Sequence, residues 1–233
     1  EAEMLAHAPK ISVVQEWLQL ETDKVVRSGQ IWRLITCAFC HDRFDILHLV
    51  FNILFLFWFG TTLEAMYGSR EFLFFYLTGA ALASMAHIAL ALFTGSAYPA
   101  IGASGAVMAV TMLYAIHFPR ERICIFWFIP IQIRWLVLFY VIFDVHPVLL
   151  TLSGEQVSSG IAHAAHLGGL AFGFYYSWSG MRFERIFDRF RSSSSAPLGP
   201  RLVSRPKSTP PPDDDLGEQV DAILQKIHEQ GEA

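Results

Sequence analysis

The chain has 233 residues, of which 53% are hydrophobic and only 16% charged, with a formal net charge of −4. Long apolar stretches with so few charges exclude an ordinary soluble domain and point to a membrane protein. No basic patch with interleaved aromatics points to nucleic acid, and three cysteines make no disulfide framework.

Residues 1–43 are mixed in character and carry Lys10, Lys24, Arg27, Arg33 and Arg43. No stretch there approaches the roughly 20 apolar residues that a bilayer span needs. Trp17, Trp32 and nearby aliphatics predict short amphipathic pieces at the interface. Cys37 and Cys40 form a C-x-x-C, read as incidental thiols because no redox fold surrounds them. A first apolar span runs from about Asp45 to Met66, and Tyr67 to Arg70 make a turn. A second runs from about Phe72 to Phe93, and a loop follows over 94–99. A third, short and rich in small residues, runs from about Gly102 to Phe118. Pro119 to Arg122 break it, and Pro130 argues against one straight helix in the stretch that follows. A fourth span is expected over Trp135 to Val145, a loop over Pro147 to Ser159, and a fifth span over Gly160 to Trp178. The predicted fold class is all-α, a polytopic transmembrane helical bundle. Its core covers 44–180, after a first loop over 1–43 that lies partly in the membrane. A basic, then Ser- and Pro-rich linker covers 181–212. A cytosolic amphipathic helix is expected within 213–233. There Leu216, Val220, Ile223, Leu224 and Ile227 share one face, and Asp215 with Glu218 fits a capping box.

Lys and Arg placement sets the expected orientation. Arg70, Arg120, Arg122, Arg134 and the arginines after Met181 fall on one side, whereas the loops 94–101 and 146–160 have none. The first side is therefore read as cytosolic, together with the C-terminal tail. Residues 1–43 then lie outside despite their five basic residues.

Strongly polar groups inside a bilayer are expensive unless paired or facing water. The informative ones are His48, Asn52, Ser104 and His166, which the topology sets at one depth near the outer face. Ser104 lies in Gly102-Ala103-Ser104-Gly105 at a helix start, where backbone N–H groups favour developing negative charge. Alone, this stretch reads more readily as small-residue helix packing with Ser as N-cap. His166 borders a face on which Ala165, Gly169 and Gly173 recur every four residues, so it can reach a Ser on a closely packed helix. His163 lies one turn earlier, and either histidine taken alone is as readily structural. His48 and Asn52, at i and i+4, share one helix face and can both donate toward one point. Their alternative is interhelical hydrogen bonding. No H-E-x-x-H is present, which argues against a metal site, and no cofactor is implied.

Together, these residues resemble the rhomboid family of intramembrane serine proteases. The likeness covers Gly29 to about Trp178 and includes GQIWRLITCAF with Trp32-Arg33, HLVFN, FGTTLE, YGSREFLFFYLTGA, GASGAV and AHLGGLAFG. The resemblance implies a rhomboid-like bundle with Ser104 as nucleophile and His166 as base, a dyad without an acid. It also implies an oxyanion hole from His48, Asn52 and the backbone around Gly102 and Ser104. Implied partners are transmembrane protein substrates and the lipid bilayer, and the implied location is a bacterial inner membrane. Two departures stand out. Met108 occupies a position four after the serine that is commonly aromatic in the family. The family core has six helices, so a further hydrophobic span before Glu1 is expected. The alternative reading is a rhomboid-like pseudoprotease that binds and sorts membrane proteins, but such proteins typically lack the serine or the histidine. Paired-Asp motifs of an aspartyl intramembrane protease are missing from the spans. A channel would spread its polar residues through the membrane depth.

Overall fold

The structure, a computed structural model, describes residues 12–125, 129–155, 157, 160–185 and 215–230. The linker expected over 181–212 lies outside the described residues beyond Arg185. The chain divides into two compact units, Glu1–Phe190 and Arg191–Ala233.

Residues 12–43 hold three short helices, α1 (Val13–Leu18), α2 (Thr22–Ser28) and α3 (Arg33–Thr36), followed by a single 3-10 turn over Cys37–Phe39. Helices this short are not stable by themselves. They are tied together by Arg33, whose side chain is almost fully buried. Its Nη1 donates to the carbonyls of Glu16 at 2.8 Å and Gln19 at 2.6 Å, and its Nε donates to Gln30 Oε1 at 2.7 Å. The Glu21 carboxylate lies 3.7 Å from Nη1 and also binds Lys24 at 2.9 Å. A planar guanidinium with several fixed donors suits this task. Cys37 and Cys40 are both buried free thiols, with Cys37 Sγ 3.3 Å from Ser84 Oγ.

Five longer helices follow: α4 (Ile46–Tyr67), α5 (Ser69–Thr94), α6 (Ser104–His117), α7 (Ile133–Leu152) and α8 (His163–Ser179). By length and composition, α4, α5 and α7 are able to cross a membrane, and α6 is a shorter apolar helix. The chain is thus a multi-pass integral membrane protein built as an all-α bundle. Helix α6 packs against α4, α5, α7 and α8, and most of its residues are buried. Its 14 residues span about 21 Å, against a hydrocarbon core of roughly 30 Å. The central helix is therefore too short to cross alone, and its first residue, Ser104, is half-buried in the bundle.

Two differences from the sequence reading concern the stretch after α6. Residues around Pro130 form a β-ribbon, β1 (Arg122–Ile125) paired antiparallel with β2 (Ile129–Gln132), with Pro130 opposite Cys124. A two-stranded ribbon has only edge strands, where proline is tolerated. Helix α7 then runs on through Pro147 to Leu152, where a break and loop were expected. Proline removes one backbone donor but does not end a membrane helix whose neighbours and hydroxyls compensate.

Helices α6 and α8 touch backbone to backbone. A Cβ on Gly169 would collide with the Gly105 carbonyl oxygen, and one on Gly173 with the Ala109 carbonyl. A Cβ on Gly105 would meet Ala83 Cβ at 2.5 Å, and one on Gly168 would meet Ala86 Cβ at 2.6 Å. Small residues replace interhelical hydrophobic attraction in a bilayer by letting backbones approach. At the other end of α8, buried Glu71 of α5 accepts from the Tyr176 hydroxyl and from the Phe183 and Glu184 amides, both at 2.8 Å.

The second unit contains α9 (Asp215–Gln230), which matches the amphipathic helix expected there, with Val220, Ile223 and Leu224 exposed. The side chains of the expected cap, Asp215 and Glu218, lie outside the described residues.

These contacts generate two stability expectations. Gly169→Ala overpacks a backbone contact and should lower stability by about 1–3 kcal/mol. Arg33→Ala strands two backbone carbonyls and should cost roughly 2–4 kcal/mol. Thermal unfolding of the detergent-solubilised protein measures both, and unfolding midpoints equal to that of the parent chain would refute them.

Candidate active site

Ser104 and His166 are brought together by the α6–α8 crossing. Ser104 opens α6 and His166 sits in the first turn of α8, and His166 Nε2 lies 2.9 Å from Ser104 Oγ. Both line a cavity of about 320 Å³, along with His48 and Asn52 of α4, Met108 of α6 and Tyr140 of α7. All four polar residues singled out in the sequence thus face one space. Met108 is buried and forms part of its apolar wall, where a thioether can pack against rings.

The turn leading into Ser104 is held from several points. Gly102 has φ +118°, a backbone state that favours glycine. A Cβ there would also meet His48 Cε1 at 2.6 Å, so the His48 ring rests on the Gly102 backbone. The Gly102 N–H donates to the Cys37 carbonyl at 3.0 Å, and the Ala103 N–H donates to His41 Nε2 at 3.3 Å. Leu20 and Ala100 exchange backbone hydrogen bonds of 2.9 and 3.0 Å just upstream. With Gly102 and Ala103 so engaged, the Ser104 N–H is the donor of this turn that sits in the first turn of α6, where no intrahelical acceptor exists.

His48 and Asn52 share the inner face of α4. Asp45 caps that helix by accepting the His48 N–H at 3.0 Å. Asn52 Nδ2 donates to the His48 carbonyl at 2.9 Å and lies 3.3 Å from His41 Nε2. His41 and His48 meet edge to face, with ring centroids 5.4 Å apart. Burial, reinforced by neighbouring His48, pushes His41 below the usual imidazole range. A neutral His41 is what an Nε2 accepting the Ala103 N–H requires.

Three residues here escaped the sequence reading. His41 carries no spacing signal, because it lies in a loop before α4. His163 is visible in the sequence, but nothing in its spacing points to a partner. Asp144 was passed over, and it is fully buried on α7. Its carboxylate lies 2.7 Å from His163 Nδ1, and its two oxygens lie 3.1 and 3.2 Å from His166 Nδ1. The resemblance implied no acid beside His166, and the structure puts one there. A signal existed, since Asp144 shares the helical period of buried Ile133, Leu136 and Val137. Ending the span at Val145 set Asp144 at a membrane edge, where an acid is cheap. The continuation of α7 to Leu152 places it within the helix.

A family model described as "Rhomboid domain" matches residues 28–183. RHOMBOID-like protein 12, mitochondrial, of Arabidopsis thaliana is 34% identical over 159 residues, 62% of this chain and 45% of that protein. Rhomboid protease GluP of Bacillus subtilis (strain 168) is 32% identical over 155 residues, 66% of this chain and 27% of that protein. Rhomboid protein 1, mitochondrial, of Saccharomyces cerevisiae is 30% identical over 168 residues, 71% of this chain and 45% of that protein. The chain spans less than half the length of these curated relatives. They are mitochondrial as well as bacterial and do not favour a bacterial inner membrane over a mitochondrial one. The matched segment contains every residue of the cavity described above, and it covers most of the chain: this protein belongs to the rhomboid family.

Proposed function

We propose that the protein is an intramembrane serine endopeptidase that cleaves transmembrane segments of other membrane proteins, with Ser104 as nucleophile and His166 as general base. The observation that carries this reading is the 2.9 Å approach of His166 Nε2 to Ser104 Oγ inside a cavity. That is hydrogen-bond reach for proton transfer. Neutral His166 takes the Ser104 proton through Nε2 as Oγ attacks the scissile carbonyl. The resulting oxyanion is met by the Ser104 N–H and by donors from His48 and Asn52. His166 then delivers the proton to the leaving amine, and water releases the acyl group by the same path in reverse.

In the resting geometry one N–H of the Asn52 amide donates to the His48 carbonyl, and the second N–H is the donor that serves an oxyanion. Apo sites often tighten such bonds only in the reacting complex. The apolar wall offered by Phe51, Met108 and Tyr140 suits an unwound membrane segment rather than a polar peptide.

The test is a fluorophosphonate probe and a model transmembrane substrate, both applied to the full chain. Ser104 should be labelled, and Ser104→Ala and His166→Ala should each abolish cleavage while thermal unfolding is preserved. A folded wild-type chain that neither reacts nor cleaves would favour the pseudoprotease reading. His48→Ala or Asn52→Ala should lower kcat by up to roughly 10²–10³-fold, less where the remaining donors compensate. An undiminished rate in the double substitution would remove both from the oxyanion hole.

A further inference from the structure

We propose that Asp144, clamped by His163, is a positioning residue that fixes the proton of His166 on Nδ1 and leaves Nε2 bare toward Ser104. The proposal rests on the reading of Ser104 and His166 as nucleophile and base. It adds an acid to a site whose family resemblance implies none.

The burial pattern of α7 makes the case first. Its outer face carries exposed Trp135, Leu138, Phe139 and Ile142, and Asp144 is the fully buried ionisable residue of its inner face. A buried carboxylate in a membrane helix is retained only where it is paired. Here the pairing comes from one turn of α8. His163 and His166 are three residues apart and therefore share a face, and both turn Nδ1 toward the same carboxylate. The two contacts differ in kind. His163 approaches one oxygen at 2.7 Å, whereas His166 lies almost evenly between the two oxygens at 3.1 and 3.2 Å. The shorter bond fixes where the carboxylate sits, and His166 reads its position.

The tautomers follow from donor and acceptor counting. An ionised carboxylate only accepts, so each Nδ1 facing it carries a proton. A neutral His166 protonated on Nδ1 has an unprotonated Nε2, and that nitrogen is 2.9 Å from Ser104 Oγ. The hydroxyl must then donate to Nε2, which is the starting state for proton abstraction. The chain of donors runs one way, from Ser104 through His166 to Asp144. A serine–histidine pair without an acid leaves the choice of tautomer to weaker local dipoles. Asn at position 144 would offer one accepting oxygen and one amide donor to two rings. One histidine would then face an N–H and move its own proton to Nε2. Because His163 makes the shorter bond, it keeps the oxygen, and His166 is the ring that changes.

The test uses the full chain in detergent with ring-¹⁵N-labelled histidine, assigned by difference against His166→Ala. Wild-type protein should show His166 protonated on Nδ1, and Asp144→Asn should move that proton to Nε2. In cleavage assays Asp144→Asn should lower kcat by roughly 10²–10⁴-fold with KM unchanged. His163→Leu should lower kcat as well. His163→Asn should restore most of it, because the Asn amide reaches about as far as Nδ1 and still donates. An Nε2-protonated His166 in the resting wild type would overturn the proposal, as would an Asp144→Asn protein with unaltered kcat. Should Asp144→Asn fail to fold, the wild-type ring signals and the His163 pair decide. A wild-type chain inert to probe and substrate would defeat the protease reading alone, since the ring signals report the Asp144 contact without turnover.

Discussion

A Cβ atom placed on Gly169 would strike the carbonyl of Gly105, and one on Gly173 the carbonyl of Ala109. The α6–α8 contact therefore has no room for any side chain, and the 2.9 Å between Ser104 Oγ and His166 Nε2 is inherited from it. Both residues lie at the N-terminal ends of their helices, one turn or less from the glycine contact, so a small rotation at the crossing would separate them. The bilayer sharpens this dependence. Between apolar helices in lipid, close packing replaces the hydrophobic drive that water would supply. The smooth face that allows the contact is thus a source of bundle stability and of site geometry at once.

The second constraint comes from residues 12–43, whose short helices hold the turn that leads into Ser104. Leu20 pairs with Ala100, Cys37 accepts from Gly102, and His41 accepts from Ala103. These anchors are spread over short helices that hold their arrangement through buried Arg33, whose donors end on α1 and the turn after it. The line of dependence runs from Arg33, through the placement of Cys37 and His41, to the positive φ at Gly102 and the exit of the chain into α6. An amphipathic segment that looked peripheral in composition thus holds the turn that leads into Ser104.

Much of this was legible in the sequence. The helical spans α4, α5, α6 and α8 are set by apolar length and by Gly- and Pro-marked turns, which are local signals. Ser104, His166, His48 and Asn52 were legible because polar side chains in apolar spans are conspicuous. What escaped depended on context. Pro147 carried a helix-breaking signal that tertiary packing overrode, and the early end given to α7 made Asp144 look like an interfacial acid. The ribbon around Pro130 formed where periodicity was weak. His41 makes contacts over 11 to 62 residues of sequence and Arg33 over as many as 17, beyond any periodic pattern.

The partition of polar groups explains how one bundle accommodates both lipid and a wet site. The outer faces of α4 and α7 are lined by exposed Phe, Leu, Ile and Trp side chains, whereas Asn52, Asp144, His163 and His166 all turn inward. Each of these inward groups finds a partner within the protein: Asn52 in the His48 carbonyl, Asp144 in two imidazoles, and His163 and His166 in Asp144. Such satisfaction removes most of the cost of burying polar atoms, and Ser104, His166, His48 and Asn52 are left lining the cavity. The short α6 completes the arrangement. The space above its first residue, Ser104, is bounded both by His48, Asn52 and His166 and by the apolar side chains of Phe51, Met108 and Tyr140, and the proposed hydrolysis would need water there.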